Sequence, residues 1–443
     1  MDAAGCYIAG MRRYRPIALC LAGELGIMAL LPFLGDLRRH IPLFLLLFLA
    51  AAALYLLAVR CALRLRLPFA PIFVTAIVLR IPLFFAQPSL SDDVWRYLHD
   101  GRAQLAGVNP YAFAPADART APFRGPEYDD INHPELRTIY PPVAQYVFRL
   151  MAATPAPLLC WRLLLLVAEL VLLTAAAMLL RARGQPPANL ALYAWHPLAI
   201  VETVGSAHLD PVAIAFLLLT LTALAKSRPL HAGMALAASV GAKLIAAPLL
   251  MFTLGRPRVL LAFAVTMIVL YLPFGHSGSV FGSLGVFAET WESNGSLFQL
   301  MGPFVGGWVY RWVAAALLVI ILARLAWQRV SVDAAAFVYL FALFALAPVV
   351  HPWYLLWILA LLPLRRVPFD AVGSAALVWT VTVSLAYSAH TQQLAHGGWR
   401  IPSLLLYLEY VPVYALLVAQ NNTARRFFSM NWMPSTMKTV AKM

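Results

Sequence analysis

Long apolar segments alternate with short polar ones along almost the whole chain. Windows of about 18–22 apolar residues match the length that an α-helix needs to cross about 30 Å of hydrocarbon. The pattern therefore predicts an all-α polytopic membrane protein, a bundle of about 12–14 transmembrane segments. The predicted spans are residues 16–35, 41–59, 68–86, 158–180, 188–206, 209–225, 258–274, 306–325, 333–350, 352–364, 370–388 and 401–419.

One apolar stretch, residues 225–258, is too short for two full crossings and yet has basic residues at both ends. The charge pattern fits only if this stretch enters the membrane from the cytoplasmic side, breaks near Gly241–Lys243 or Pro248, and returns. Broken helices are tolerated where they line a cavity enclosed by protein. We therefore expect a re-entrant or short hairpin segment here.

Basic residues fall in alternate loops, which is the cytoplasmic signature of polytopic membrane proteins. The chain is 62% hydrophobic and 12% charged, with a formal net charge of +14. Because the charge alternates in this way, it orients the chain among membrane lipids and does not indicate a nucleic-acid partner. The expected location is the cell (inner) membrane, multi-pass, with both termini cytoplasmic.

This threading gives one transmembrane domain, residues 1–419, followed by a basic cytoplasmic tail, residues 420–443. A long polar loop, residues 87–157, is expected outside the membrane, and its segment 141–153 is amphipathic and suits an interfacial helix. A second outer loop is expected at residues 275–305. Most candidate chemical groups lie in these loops or in shorter turns on the same side, which predicts an extracytoplasmic active site.

Two adjacent carboxylates, Asp92 and Asp93, stand where the chain leaves an apolar segment and begins an amphipathic one. One interpretation is structural: an N-cap residue followed by an acid in the first turn, both favourable at a helix N-terminus. The other is catalytic, with one acid as general base, and one residue could cap while the other reacts. Helical spacing places Tyr97 and Asp100 on the same face as Asp93.

The loop sequence SDDVWRYLHDGRAQLAGVNPYAFAP (91–115), followed by TIYPPVAQ (138–145), resembles the first outer loop of GT-C superfamily glycosyltransferases. The resemblance is greatest to family-87-type members and to polyprenol-phosphate-mannose-dependent mannosyltransferases. In many superfamily members a spacer separates the two acids, whereas here they are adjacent. Three further stretches recur in the same order in such proteins: AHLDPVAIAFLLLTL (207–221), HAGMALAASVGAKLIAAPLL (231–250) and APVVHPWYLLWILALLPL (347–364).

This resemblance implies a GT-C-like bundle that transfers a hexose, with mannose favoured, from a polyprenyl-phosphate-linked donor. The acceptor would be an extracytoplasmic glycan, lipid or protein. The polyprenyl tail would stay in the bilayer while the sugar phosphate lies at the outer surface. Asp92 or Asp93 would remove the acceptor hydroxyl proton as that oxygen attacks the anomeric carbon, in a single displacement that inverts the centre.

Several other side chains are candidates for substrate contacts, and each has a structural alternative. Lys243 could neutralise the leaving phosphate or snorkel toward the cytoplasmic face, and Arg80 could meet the phosphate or anchor its helix at the interface. His208 and Asp210 could orient the sugar or cap a helix, and Glu292 could contact the acceptor. The remaining candidates lie in the first outer loop or at an outer turn: Tyr97, Asp100, Tyr111, Tyr140, His351, Trp353 and Tyr354.

No cofactor is required by the sequence. Carboxylates suit Mg²⁺ or Mn²⁺, which bridge phosphates, so Asp210 and His208 together with the Asp pair could bind such an ion. No dense cluster of ligand residues demands a metal. His390 and His396 are interpreted as surface histidines.

Two other functions would also account for part of this sequence. A transporter or lipid flippase uses broken helices and charges within the membrane, but it predicts matching features in two halves of the chain. No convincing internal repeat is found. A non-catalytic scaffold subunit explains the hydrophobicity but gives the acidic loop and Lys243 no role.

Overall fold

The computed structural model of the chain describes residues 3–275 and 282–419, with side chains from residue 13 onward. Within these ranges it consists of helices, turns and loops, with isolated β-bridges from Ser293 and Asn294 to Val349. The predicted all-α class is confirmed. The predicted basic tail, residues 420–443, lies outside the described residues, as does part of the second outer loop.

The α-helices follow one another from the N-terminus with short connections except in the first outer loop. In chain order they are α1 (Ala3–Leu30), α2 (Ile41–Arg64), α3 (Phe69–Arg80), α4 (Asp93–Leu105), α5 (Pro142–Ala152), α6 (Pro157–Ala182), α7 (Ala191–Ala194), α8 (Pro197–Ile200), α9 (Asp210–Ala225), α10 (Pro229–Ala242), α11 (Pro257–Tyr271), α12 (Gly282–Thr290), α13 (Ser296–Val305), α14 (Gly307–Trp327), α15 (Val332–Leu346), α16 (Leu355–Leu361), α17 (Ala371–Thr382), α18 (Ser388–His396) and α19 (Ser403–Ala419).

Six of the described helical segments are long and apolar enough to cross a membrane. Shorter apolar helices occupy several other predicted spans, among them Phe69–Phe85, Val332–Leu346, Pro352–Leu364 and Ser403–Ala419. The chain is therefore a multi-pass membrane protein. The six long segments are Arg13–Leu34, Leu37–Arg64, Pro157–Ala182, Pro257–Phe274, Gly307–Trp327 and Ala371–His396.

The helical backbone breaks at two places inside the bundle. α10 ends at Ala242, Lys243 is extended, and the chain continues as the 3₁₀-helix Leu244–Thr253, which is the break expected near this lysine. A second break, at residues 206–209, falls in the turn expected between the spans 188–206 and 209–225. The helices on either side of it, Pro197–Gly205 and Asp210–Ala225, are bent by 117°, and the first of them is too short to be the independent span that was expected.

The two ends of the bundle differ in their polar groups. At one end, Arg183 pairs with Asp333 at 2.8 Å and donates to the Leu364 carbonyl at 3.3 Å, so three turns that were predicted to be cytoplasmic meet. α9 runs from Asp210, which pairs with Lys243, to Ala225, which lines a cavity beside Arg183. Lys243 is therefore at the end of the bundle opposite to the basic turns.

The long outer loop is held together by close packing of α4 on α5. A Cβ atom added at Gly101 would lie 2.3 Å from the Phe148 carbonyl oxygen and 2.8 Å from the Ala152 Cβ, so only glycine permits this approach. Beside the contact, Gln145 donates to Asp100 at 3.2 Å and to Thr138 at 2.8 Å. These contacts fix the position of α4, whose first residue is Asp93.

We predict that Gly101→Ala destabilises the protein, because the clash is with backbone and no side chain can move aside. Overpacking of this kind costs about 1–3 kcal/mol. The measurement is the thermal unfolding midpoint of the detergent-purified protein. Gly26→Ala in α1 is the control, since a Cβ there meets nothing within 4 Å. Equal midpoints for the two variants would contradict the close α4–α5 contact.

Candidate active site

A cavity of about 600 Å³ opens between the first outer loop, the break at Lys243 and the turns around residues 283–293, 350–354 and 386–399. Elements distant in sequence thus contribute to one pocket. Eight of the residues singled out from the sequence line it: Asp92, Asp93, Tyr140, Lys243, Glu292, His351, Trp353 and Tyr354.

The adjacent acids Asp92 and Asp93 face different neighbours. Asp92 occupies the N-cap position of α4 but its side chain makes no capping hydrogen bond, and the Asp93 N–H instead donates to the Ser91 hydroxyl at 3.3 Å. The Asp92 Oδ1 accepts from Arg38 Nη1 at 3.4 Å. The Asp92 carboxylate therefore does not cap α4, and it lines the cavity while Oδ1 contacts Arg38.

Asp93 points toward the buried centre of the site. The Tyr97 hydroxyl donates to Asp93 Oδ2 at 3.4 Å, and His208 Nδ1 lies 3.6 Å from the same oxygen. The Asp93 side chain is 22% exposed and that of Asp92 is 33% exposed. Asp93 is thus the more enclosed and more heavily contacted of the two acids.

The two acids also differ in acidity. Burial raises the pKa of Asp92 to about 6, with the nearby Asp93 also raising it and Arg38 lowering it. For Asp93, burial likewise raises the pKa, but the adjacent His208, Lys243 and His351 outweigh burial and bring it below the ordinary value. Asp92 is therefore the better proton acceptor near neutral pH, whereas Asp93 stays ionised.

Arg38 was not singled out from the sequence. It lies in the 3₁₀-helix Leu37–His40, in the turn between α1 and α2, where its Nε also donates to Asp36 Oδ1 at 3.0 Å. Its position in the sequence could have identified Arg38, because the predicted topology places Arg38 and Arg39 in a turn on the outer side of the membrane. Two arginines in an outer turn depart from the alternation in which basic residues lie in cytoplasmic loops. This departure indicates that they have a role within the turn itself.

Lys243 and Asp210 form an ion pair at the junction of the two broken helices. Lys243 Nζ donates to the two Asp210 oxygens at 2.8 and 2.7 Å, and Trp357 Nε1 donates to Oδ1 at 2.7 Å. Asp210 is fully buried, whereas the lysine side chain is 19% exposed and lines the cavity. An ammonium group has three N–H donors, so one of them is not used by Asp210.

Three rings form a stack below the Asp pair. Trp353 lies between His208, at a centroid distance of 3.9 Å, and His351, at 4.4 Å. Behind the stack, the buried Glu202 lies 3.2 Å from His208 Nε2. Burial lowers the pKa of His351 to about 4, so its imidazole is neutral at physiological pH and can serve as a hydrogen-bond partner.

Other groups predicted for the site do not line the cavity themselves but contact residues that do. Asp100 is buried and accepts from Arg96 Nε at 2.8 Å, and the Tyr111 hydroxyl donates to the Tyr140 carbonyl at 2.8 Å. His208 and Asp210 also do not line the cavity, although each contacts a residue that does. The sequence pattern thus found residues beneath the site as well as residues facing it.

Arg80 lies away from the cavity in a buried ion pair. Its guanidinium bonds both oxygens of Glu169, with Nη2 to Oε1 at 2.8 Å, and donates to the Ala194 carbonyl at 2.8 Å. The Tyr193 hydroxyl donates to the same carboxylate at 2.9 Å. The hydrogen bonds of the Arg80 guanidinium are made within the helix bundle. Arg80 therefore packs α3 against α6, and it neither anchors its helix at the interface nor reaches the cavity where a phosphate would bind.

His390 lines the cavity although the sequence suggested a surface histidine, and Trp291 lines it beside the predicted Glu292. His390, expected at the surface, is buried, and its Nε2 lies 3.1 Å from the Leu90 carbonyl oxygen. Trp291 packs edge-on against His133 at a centroid distance of 4.5 Å, and Glu292 pairs with Arg311 at 3.0 Å. The second loop therefore contributes both an aromatic and an acidic side chain to the cavity.

The side chains described from residue 13 to residue 275 and from residue 282 to residue 419 show no arrangement typical of a metal site. Among those residues, no group of three or more His, Cys, Asp or Glu side chains is arranged to hold a metal ion. Asp210, one of the predicted ligands, is already paired with Lys243.

Comparison with known families gives one match. A family profile described as alpha-(1->6)-mannopyranosyltransferase, N-terminal domain, matches residues 27–256, which is more than half of the chain. The matched range contains Arg38, the Asp pair and Lys243. No curated protein matches the chain, and no solved structure matches it.

We predict that Arg80→Gln destabilises the fold by about 3–5 kcal/mol, because it leaves the Glu169 carboxylate buried without its counter-charge. The unfolding midpoint and the monodisperse fraction after purification measure this. Arg119→Gln is the control, since Arg119 is exposed and pairs with Asp117 at the surface, where such pairs contribute little. An Arg80→Gln protein of normal stability with an increased donor KM would instead support the phosphate contact.

Proposed function

Because the chain belongs to the alpha-(1->6)-mannopyranosyltransferase family and is thus a glycosyltransferase of mannose, we propose that it uses a polyprenyl-phosphate-linked mannose donor. The mannose is transferred to an extracytoplasmic glycan, lipid or protein acceptor. The observation that carries this proposal is the convergence of Asp92, Asp93, Lys243 and the His351–Trp353 stack on one cavity.

The proposed location is the inner membrane, with both termini cytoplasmic and the cavity on the extracytoplasmic side. The support is the separation of charges along the bundle. Arg183, Arg256 and Arg329 gather at one end, and basic turns remain on the cytoplasmic side of a membrane. Lys243 and the Asp pair are at the other end, where a lipid-linked donor could place its sugar phosphate.

Lys243 and His351 are the proposed phosphate contacts. The ammonium is held by Asp210, yet it reaches the cavity and has a proton left to donate to a phosphate oxygen. A fixed positive group stabilises the charge that develops on the leaving phosphate without having to reorganise. Tyr354, whose ring lies 5.0 Å from Lys243 Nζ, closes the opposite side of the ammonium.

Asp92 is the proposed general base. Its carboxylate faces the cavity, makes no cap, and has a pKa of about 6, which suits proton abstraction near neutral pH. Asp93 is engaged by Tyr97 and His208 and is the weaker base, so we assign it to positioning, as the ionised group that orients His208 and accepts from sugar hydroxyls.

The proposed reaction is a single displacement. The acceptor hydroxyl transfers its proton to Asp92, its oxygen forms the bond to the anomeric carbon, and the bond from that carbon to the phosphate oxygen breaks. Polyprenyl phosphate leaves. Because the displacement inverts the anomeric centre, an α-(1→6) product requires a β-linked mannosyl donor, and an α-linked donor should not be a substrate.

Substitution of the Asp pair tests the base assignment. We expect Asp92→Asn to lower kcat by 10²-fold or more, since general base catalysis contributes roughly 10²–10⁴-fold. Asp93→Asn should mainly raise the donor KM. The measurement is transfer of labelled mannose from polyprenyl phosphate in membranes that contain equal amounts of each variant. Asp117→Asn, in the same loop but outside the cavity, is the control.

Loss of kcat in Asp93→Asn with normal kcat in Asp92→Asn would reverse the two assignments. Normal activity in both variants would exclude a catalytic role for the pair. Absence of any transfer by the wild-type chain from a β-linked donor, with transfer from a nucleotide sugar, would refute the donor class.

The pH dependence gives a second test. Asp92 must be ionised to act, so kcat should fall as the pH drops below about 6. Arg38 lowers that pKa, so Arg38→Gln should move the acidic limb to higher pH and cost more activity at pH 6 than at pH 8. Arg39→Gln is the control, because Arg39 pairs with Asp36 and not with Asp92. An unmoved limb in Arg38→Gln would contradict the Asp92 assignment.

A further inference from the structure

A second cavity, of about 460 Å³, lies at the basic end of the bundle. Its walls are the end of the 3₁₀-helix Leu244–Thr253, the last turn of α9, and the connection from α14 to α15. Three arginines, Arg183, Arg256 and Arg329, line it together with one acid, Asp333. This cavity is separate from the candidate active site, and binding of a ligand in it is independent of the proposed reaction.

The cavity has an excess of positive charge. Asp333 is paired with Arg183 at 2.8 Å. In the part of the chain whose side chains are described, neither Arg256 nor Arg329 has an ion-pair or side-chain hydrogen-bond partner. Two guanidinium groups on facing elements of one cavity form a binding site suited to a phosphate group, which guanidinium groups contact in bidentate fashion.

The backbone around the cavity adds to this preference. Arg256 is the N-cap residue of α11 and Ser331 is the N-cap residue of α15, and both line the cavity. The N–H groups at a helix N-terminus favour a negative charge. In α15 the first turn already contains Asp333, whereas the first turn of α11 contains no acid.

Apolar surface beside the cavity indicates what carries the phosphate. Leu254 is 64% exposed and Trp327 is 84% exposed, and both stand next to the arginines in sequence. The spans that begin and end here, Pro257–Phe274 and Gly307–Trp327, are among the least buried in the bundle and so face lipid. An occupant with a charged head and apolar chains fits this surface, whereas a soluble phosphate would use only the arginines.

We infer that this cavity binds the headgroup of an anionic phospholipid, with the phosphate between Arg256 and Arg329 and the acyl chains along Leu254 and Trp327. Basic pockets between transmembrane helices on the cytoplasmic side bind such headgroups. Met251 and Phe252 also line the cavity, so the bound lipid contacts the end of the segment that starts after Lys243. Binding to the folded state therefore raises the thermal stability of the protein.

The test is native mass spectrometry of the detergent-purified full chain, titrated with dioleoyl phosphatidylglycerol or dioleoyl phosphatidylcholine. We expect the anionic lipid to bind more tightly, and the double variant Arg256→Gln/Arg329→Gln to weaken its binding by about tenfold or more. The matched control is Arg258→Gln/Arg324→Gln, which removes the same charge from the same end but from residues that do not line the cavity. It should bind like the wild type.

Three further results decide the inference. Arg256→Lys/Arg329→Lys retains the charge but not the bidentate geometry, so it should bind the lipid more tightly than the glutamine variant and less tightly than the wild type. Equal weakening in the control variant would show a diffuse basic surface and overturn the site. Displacement of the lipid by inorganic pyrophosphate at comparable concentration would identify a soluble phosphate ligand and overturn the lipid assignment.

Discussion

A charged side chain within an apolar bundle keeps its charge only where an opposite charge and hydrogen-bond partners replace water. Lys243 and Asp210 meet this requirement together, and Trp357 donates to the same carboxylate. Lys243 stands at the break after α10, and Asp210 begins α9 after the 117° bend. One ion pair thus joins the two breaks in the helical backbone, and the shape of the cavity above it depends on that junction.

The junction also organises the groups around His208. The turn at the bend before Asp210 is buried, and it places His208 between the carboxylates of Glu202 and Asp93. Trp353 covers the other face of the imidazole. A π-helix at Val201–Gly205 precedes the turn, and such irregular segments are frequent at functional sites. The irregularity of the backbone is therefore concentrated where polar side chains must meet.

The sequence predicted those features in which a residue differs clearly from its neighbours in the chain. A lysine within an apolar stretch and two acids at the end of another stand out from their neighbours, and both mark parts of the site. Contacts between distant segments left no such signal. Arg38 and Asp92 are 54 residues apart, and the partner of Arg80 is 89 residues away, so neither pair follows from periodicity or composition. Knowledge of which turns meet was needed to distinguish Arg80, which packs helices together, from Arg38, which contacts Asp92.

The adjacency of Asp92 and Asp93 has a physical consequence that a spacer between them would remove. Consecutive residues at a helix start project in directions roughly 100° apart, since a helical turn holds about 3.6 residues. Asp92 therefore meets Arg38 on one side while Asp93 meets His208 on the other. Their different neighbours move the two pKa values apart, one up and one down. Two identical side chains in adjacent positions can thus act as a proton acceptor and as a permanently ionised anchor, because the fold gives each its own environment.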